Sequence, residues 1–150
     1  MTDHEPAIRQ FFVAYETRIN DALKNPPVVD AAAAAGAFAD YVVGSDPQRV
    51  SGHRNGLLFR MMIPRGYRSY RKAGTKRMEI RGLRVTPLDD SHAMAHTHWW
   101  SLYLAKTGKV VEIEFDNIYM MHVPDAGAPK IFAYITGDEQ KLLKAHGLVE

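Results

Sequence analysis

Residues 108–123, GKVVEIEFDNIYMMHV, alternate between apolar and polar positions for most of their length. Val111, Ile113, Phe115 and Tyr119 fall on one side; Glu112, Glu114 and Asp116 fall on the other. A side-chain period of two over that distance predicts a long, half-buried strand. Asn117 interrupts the apolar row between Phe115 and Tyr119. A polar group in such a place either satisfies the interior or does chemistry. The same period begins at Lys76 and predicts four strands, at about 77–88, 92–105, 109–123 and 130–136. The turns between them, Asp89-Asp90, Thr107-Gly108 and Asp125-Ala126-Gly127, are short enough for antiparallel hairpins. In the first strand Met78 and Ile80 alternate one way, Leu83 and Val85 the other. Gly82 marks the slip, which predicts a bulge.

Ahead of the strands the period is helical. Ile8, Phe11, Phe12, Tyr15, Ile19 and Leu23 form one apolar stripe, preceded by a capping box with Thr2 as N-cap and Glu5 three residues on. Pro26-Pro27 ends this first helix. A second is expected at 29–43, where five consecutive alanines lead into Phe38, Tyr41 and Val42. Gly44-Ser45-Asp46-Pro47 reads as a turn, because the residue before a proline is pushed out of the helical region. A third helical segment, 55–73, is interrupted by Pro64 and Gly66 and closed by Gly74. Gly137-Asp138 opens a short final helix docked by Leu142 and Leu143 and capped by Gly147. Met61, Met62, Met120 and Met121 read as adaptable core filler.

Helices followed by a meander define an α+β class. The expected architecture is a cone: N-terminal helices packed in the concave face of a curved, mainly antiparallel sheet of four or more strands. Such a cone encloses a hollow, and hollows of that kind take small ligands.

The 150 residues suffice for one domain, 1–150, with a sizeable core. The absence of cysteine excludes disulfides, thiol nucleophiles and thiolate metal sites. No apolar run approaches the roughly 20 residues of a membrane span. The charged N-terminus lacks a signal peptide's apolar core, so no membrane association and a cytoplasmic location are expected. The net charge of +2 conceals an asymmetry: between Arg54 and Arg84 ten Lys or Arg face one acid, Glu79, leaving −7 for the remainder. That pattern fits an anionic ligand, a complementary contact between subunits, or simply a solvated helix face followed by a charged strand face.

His92, His96, His98, Trp100 and Leu102 share one face of the second strand by parity. Paired imidazoles suit zinc or iron, yet a third ligand is wanting, because Asp116 points to the other side by parity. No metal is expected. The open alternatives are that His96 or His98 lines the hollow as a proton-transfer group, or that both sit satisfied on the outer face, since one residue of register flips a strand. Trp99 and Trp100 occupy opposite faces, so one is inside and the other is covered by a partner, pointing to a homodimer through the sheets. Arg65, Arg68 and Lys72 lie near one helical face with Tyr67 and Tyr70 interleaved, but no nucleic-acid motif accompanies them and nucleic acid is not expected.

The helix order, the switch to strands and the closing helix resemble the nuclear transport factor two-like superfamily, which includes ketosteroid isomerase and the SnoaL-like polyketide cyclases. The most specific local match is residues 38–47, FADYVVGSDP, which looks like the isomerases' helix end, short strand and aspartate-proline pair. The resemblance implies Asp46 as the proton-transferring base, against the alternative that it only starts a turn. It implies Tyr15 as the tyrosine that hydrogen-bonds the substrate oxygen, against plain core packing. Asn117 takes the place of the isomerases' second acid donor, and an amide still donates there without any raised pKa. His96 and His98 depart from the family's apolar pattern and make the interior more polar than a steroid would want. The implied activity is a cofactor-free isomerase, cyclase or dehydratase moving a proton next to a carbonyl, with Asp46, Tyr15, Asn117, His96 and His98 as its catalytic set. Phe12, Tyr41, Trp100, Phe115, Tyr119, Phe132 and Tyr134 are expected to line the hollow around a small apolar or carbonyl-bearing ligand. The alternative is a non-catalytic binder or dimeric assembly module.

Overall fold

The computed structural model describes residues 3–150; Thr2, the expected N-cap, lies outside them. Helix α1 (Glu5–Ala22) starts at His4 as N-cap, with Pro6 in its first turn, and buries Ile8, Phe12 and Ala22. Helix α2 is only Ala31–Gly36, capped by Asp30, whose carboxylate accepts from the Ala33 amide at 3.0 Å. Strands β1 (Phe38–Ser45) and β2 (Val50–Arg54) follow, then α3 (Leu57–Lys72). Strands β3 (Thr75–Pro87), β4 (His92–Leu104), β5 (Val110–His122) and β6 (Lys130–Ile135) lead to the short helix α4 (Glu139–Ala145).

The helix expected over 29–43 is therefore corrected to one short helix and a strand. The alanines favour a helix, but Phe38, Tyr41, Val42 and Val43 are aromatic or β-branched and prefer a pleated surface. Together with the unanticipated β2 they form an antiparallel hairpin, so the sheet has six strands in the order β2-β1-β6-β5-β4-β3. The pairs β3–β4, β4–β5 and β5–β6 are antiparallel, and only β1–β6 is parallel. Pro64 lies inside an uninterrupted α3 rather than splitting it. The bulge at Gly82 is present as a register shift between Ile80 and Gly82. It turns Leu83 and Val85 onto the same inner face as Ile80, where all three pack against the core of α1.

Two glycines are fixed by their surroundings. Gly74 closes α3 with φ of +92°, and a Cβ there would lie 2.2 Å from the Leu104 carbonyl oxygen. Gly44 sits against the Tyr134 ring, which a Cβ would meet at 2.6 Å.

The inner face of the sheet carries two separate apolar clusters. Ile8 and Phe12 of α1 cover Ala93, Ala95, Tyr119, Met121 and Ile131 at one end. Leu143 and Leu148, in and after α4, cover Tyr103, Val111 and Ile113 at the other. Between them Trp99 of β4 and Phe115 and Asn117 of β5 line a space that α1 borders with Tyr15, Arg18 and Ile19 and α4 borders with Glu139. Helix α3 spans this gap without filling it. It is amphipathic, yet none of its residues is buried, because its apolar face looks into a hollow. No described helix is long and apolar enough to cross a membrane.

Candidate functional site: an aromatic hollow beneath the sheet

The hollow has a volume of about 480 Å³, within the range of small-molecule sites. Phe115, Tyr119, Trp99, Tyr134 and Phe38 wall it from the sheet, and Phe59, Tyr67 and Tyr70 close it from α3. A smaller lobe of about 90 Å³ extends under α4 and shares Tyr70, Phe115, Asn117, Thr136 and Glu139 with it. The strict alternation of β5 explains why Phe115, Asn117 and Tyr119 arrive on the same side. Asn117 is polar within an apolar row because it faces this space rather than packed side chains.

Its polar groups form a connected set. Asn117 Nδ2 donates to the Tyr119 hydroxyl at 3.3 Å, while the Asn117 backbone carbonyl accepts from Thr97 Oγ1 at 3.0 Å. The Tyr15 and Tyr119 hydroxyls lie close enough to influence each other, the contact raising the Tyr15 phenol and lowering that of Tyr119. Burial is the larger cause for both and pushes both phenols up. Trp99 Nε1 is buried without a hydrogen bond of ordinary length, though it faces the Tyr119 hydroxyl closely enough to favour its anion. Tyr15 also packs its ring against Tyr119 and Trp99, at 5.9 and 6.3 Å between centroids.

Two carboxylates border the same space. Asp46 stands in the β1–β2 turn, where its Oδ1 accepts from the Gln48 and Arg49 amides at 2.9 and 3.1 Å. Its charge also raises the Tyr134 phenol, second to burial, and both residues line the hollow. Glu139 is the first residue of α4. It keeps considerable accessible surface because it borders both lobes, yet burial of its carboxyl raises its pKa, with the nearby Tyr70 hydroxyl opposing the shift. The Gln48 side chain donates to Asp138 at 2.8 Å, so the Asp46 turn is tied to the start of α4 beside Glu139.

Of the anticipated catalytic residues, Asp46, Tyr15 and Asn117 thus border one hollow; of the anticipated lining residues, Phe115, Tyr119 and Tyr134 do. The others lie elsewhere. His96, His98 and Trp100 are on the outer face: β4 presents Ala93, Ala95, Thr97 and Trp99 inward, so the shared parity is right and its direction reversed. Consequently they meet Asp116 and Glu114 across the β4–β5 pair. His96 Nε2 contacts Asp116 Oδ2 at 2.9 Å, and His98 contacts Asp116 through Nδ1 and Glu114 through Nε2. These carboxylates raise the His98 pKa, Asp116 first, and His96 and His98 hold Asp116 below the usual carboxylate range. No group of three or more His, Asp or Glu among the described residues is arranged to hold a metal. Trp100 lies under the Arg81 guanidinium at 4.1 Å and donates to Glu112 at 3.3 Å.

Phe132 faces outward onto the His92 ring. A bulge opposite Met120 and Met121 separates Ile131 and Tyr134 by an extra residue, so Tyr134 turns inward and Phe132 does not share its side. Tyr41 is 56% exposed on the hairpin, and Phe12 is buried behind the Tyr119 ring. Tyr67 and Tyr70 face the hollow rather than forming a stacking surface with Arg65 and Arg68. Met121 is core, but Met61 is 54% exposed. Glu139 was not anticipated: as the acid after an N-cap Asp it reads as helix capping, and nothing local in the sequence reveals the space beside it.

A cone of this kind, hollow between two core clusters, is also the fold of the solved structures on which this chain superposes. The chain superposes on a ketosteroid isomerase-like protein from Erwinia carotovora atroseptica SCRI1043 with a TM-score of 0.62 and 18% identity, over 91% of this chain and 97% of that one. It superposes on an NTF2-like protein with a cystatin-like fold from Novosphingobium aromaticivorans with a TM-score of 0.66 and 13% identity, over 97% and 88%. An NTF-2 like protein of unknown function from Shewanella oneidensis MR-1 gives 0.61 and 11%, over 91% and 100%. No family model matches the sequence, and no curated protein matches it. At these identities the likeness establishes the fold, and function has to be argued from the site.

Proposed function

We propose that this chain is a cofactor-free enzyme that moves a proton next to a carbonyl of a small, ring-bearing substrate held in the hollow. The observation that carries it is the sharing of one aromatic space by a donor cluster, Tyr15–Tyr119–Asn117, and two carboxylates, Asp46 and Glu139. A carbonyl oxygen facing the donors is stabilised as charge develops on it. Asp46 removes the adjacent C–H proton, and its free oxygen is the one available. Glu139, which borders the same space, returns a proton to the enolate so formed, and solvent then takes the proton from Asp46 and restores the one on Glu139.

The test needs no knowledge of the natural substrate. 2-Tetralone carries an acidic C–H next to a carbonyl, and its exchange with deuterium oxide is followed by NMR. The wild type should accelerate exchange over buffer, and Asp46→Asn and Tyr15→Phe should each lose most of that acceleration while remaining folded. Acceleration that survives both substitutions would remove these residues from the mechanism. One observation favours a second reading, a non-catalytic binder of the same class of ligand: Asp46 Oδ1 is already engaged by its own turn. Binding of 2-tetralone without any exchange would select it.

The assembly belongs to the same proposal. The outer face carries Arg77, Arg81 and Arg84 on β3 and Glu112, Glu114 and Asp116 on β5, with Trp100 between them on β4. A two-fold axis through β4 sets the basic row of one copy against the acidic row of its partner, which is how a self-complementary interface forms. A dimer in sedimentation equilibrium that dissociates on Arg81→Glu supports this homodimer; a monomer at all concentrations removes it.

A further inference from the structure

The hollow is bordered by one cation, and that cation has no counter-charge of its own. Arg18, on α1, lines the space beside Tyr15, Ile19 and Tyr67. Its guanidinium carbon lies 5.9 Å from the centroid of the Tyr15 ring. It is near enough to Tyr67 for its charge to oppose, in part, the rise that burial imposes on that phenol. No carboxylate among the described residues pairs with it. The neighbouring arginines are committed differently. Arg71 donates to the Ala22 carbonyl at 2.8 Å, Arg9 pairs with Glu5 at 2.9 Å, and Arg77 and Arg81 flank Glu79.

An arginine half-buried against aromatic rings loses hydration without recovering it from a partner. The planar guanidinium is also the side chain whose fork matches a carboxylate in two parallel hydrogen bonds. The acids on the same wall face other groups: Asp46 caps its turn and lies by Tyr134, and Glu139 lies by Tyr70. No ion pair among the described residues links either acid to Arg18. Resting on the carbonyl-substrate reading above, we propose that the ligand of this hollow is an aromatic or ring-bearing compound that carries a carboxylate, bound through Arg18 with the Tyr67 hydroxyl beside it. The carboxylate orients the ring so that the remainder of the ligand reaches the Tyr15–Tyr119–Asn117 donors.

A near-isosteric pair of probes tests this. 2-Naphthoate and 2-acetylnaphthalene share a ring system and a carbonyl and differ by an anionic oxygen in place of a methyl group. Both are titrated against wild type, Arg18→Gln and Arg18→Lys by isothermal calorimetry at low salt. The wild type should bind 2-naphthoate at least tenfold more tightly than 2-acetylnaphthalene, the scale of a charge-assisted hydrogen bond. Arg18→Gln should lose about that factor for 2-naphthoate and change 2-acetylnaphthalene by less than twofold, while Arg18→Lys recovers part of the loss. Equal affinity for the two probes in the wild type, or an equal loss of both in Arg18→Gln, overturns the anion subsite. In that case binding of 2-acetylnaphthalene leaves the carbonyl reading standing, whereas binding of neither probe sinks both.

Discussion

Replacing Tyr119 by phenylalanine isolates the donor cluster from the packing that surrounds it. The ring is 4% exposed and packs on Phe12 at 5.2 Å and on Tyr15 at 5.9 Å, and phenylalanine keeps those contacts. What disappears is a hydroxyl that accepts from Asn117 Nδ2 at 3.3 Å and lies near the Tyr15 hydroxyl. The 3.3 Å contact is at the long end for such a bond, and the orphaned Asn117 amide borders a hollow that water can enter. The net cost should therefore be about 1 kcal/mol rather than the larger penalty of a dry, unsatisfied group. For a chain of this size that corresponds to a fall in Tm of about 2–4 °C. Tyr119→Ala removes the ring as well and should cost about 3–5 kcal/mol. Urea unfolding followed by circular dichroism measures both variants. A Tyr119→Phe cost equal to that of Tyr119→Ala would place the hydroxyl in a sealed core and refute the open hollow. No measurable cost would refute the network. Spectrophotometric titration gives an independent reading: Tyr15 should stay raised through burial but move down once the Tyr119 hydroxyl is gone.

The outer-face histidine should leave a pH signature. Its pKa is raised in the folded protein by Asp116 and Glu114, so its contribution is fully present below the unfolded value of about 6.5 and is lost as pH rises through the higher folded value. His98→Gln should flatten the stability profile there, and an unchanged profile would deny the pairing. Glu139 has the same sign for a different reason: burial raises its carboxyl, so wild-type stability should decline as pH climbs above about 4.5. Glu139→Gln should suppress that decline, gaining stability at neutral pH while slowing proton transfer. Gly74→Ala should cost at least about 2 kcal/mol, because a positive φ and the Leu104 carbonyl both oppose a Cβ; a neutral effect in thermal unfolding would contradict the geometry. Gly44→Ala should cost little stability, since the atoms in its way are the tip of the Tyr134 ring, but it should displace that ring and weaken 2-tetralone binding.

The long strands were legible because their period of two is enforced by burial on one face only. Asn117 stood out for the same reason, and so did the slip at Gly82. The direction of each face was not legible. Alternation along β4 groups His96, His98 and Trp100 correctly but carries no sign. Trp99, rather than its neighbour, turned out to be the inner tryptophan. Phe132 was misassigned because a bulge breaks the alternation it was read from. The β1–β2 hairpin was hidden by the alanine run before it, whose helix propensity extends a helix on paper past the residues that end it. Tyr67, Tyr70 and Arg18 depend on a three-dimensional fact, the failure of α1 and α4 to meet over the sheet. Helical spacing assigns them to a face without saying that the face is opposite an empty space.

The central claim is that side chains distant in sequence meet one ligand in that space. A crystal structure of the protein with 2-tetralone tests it most directly. The account predicts the ketone oxygen within hydrogen-bonding distance of Tyr15 or Asn117, with C1 facing Asp46 or Glu139. Tetralone bound on the outer sheet face, or an interior closed over by α3 with no room for it, would contradict the account.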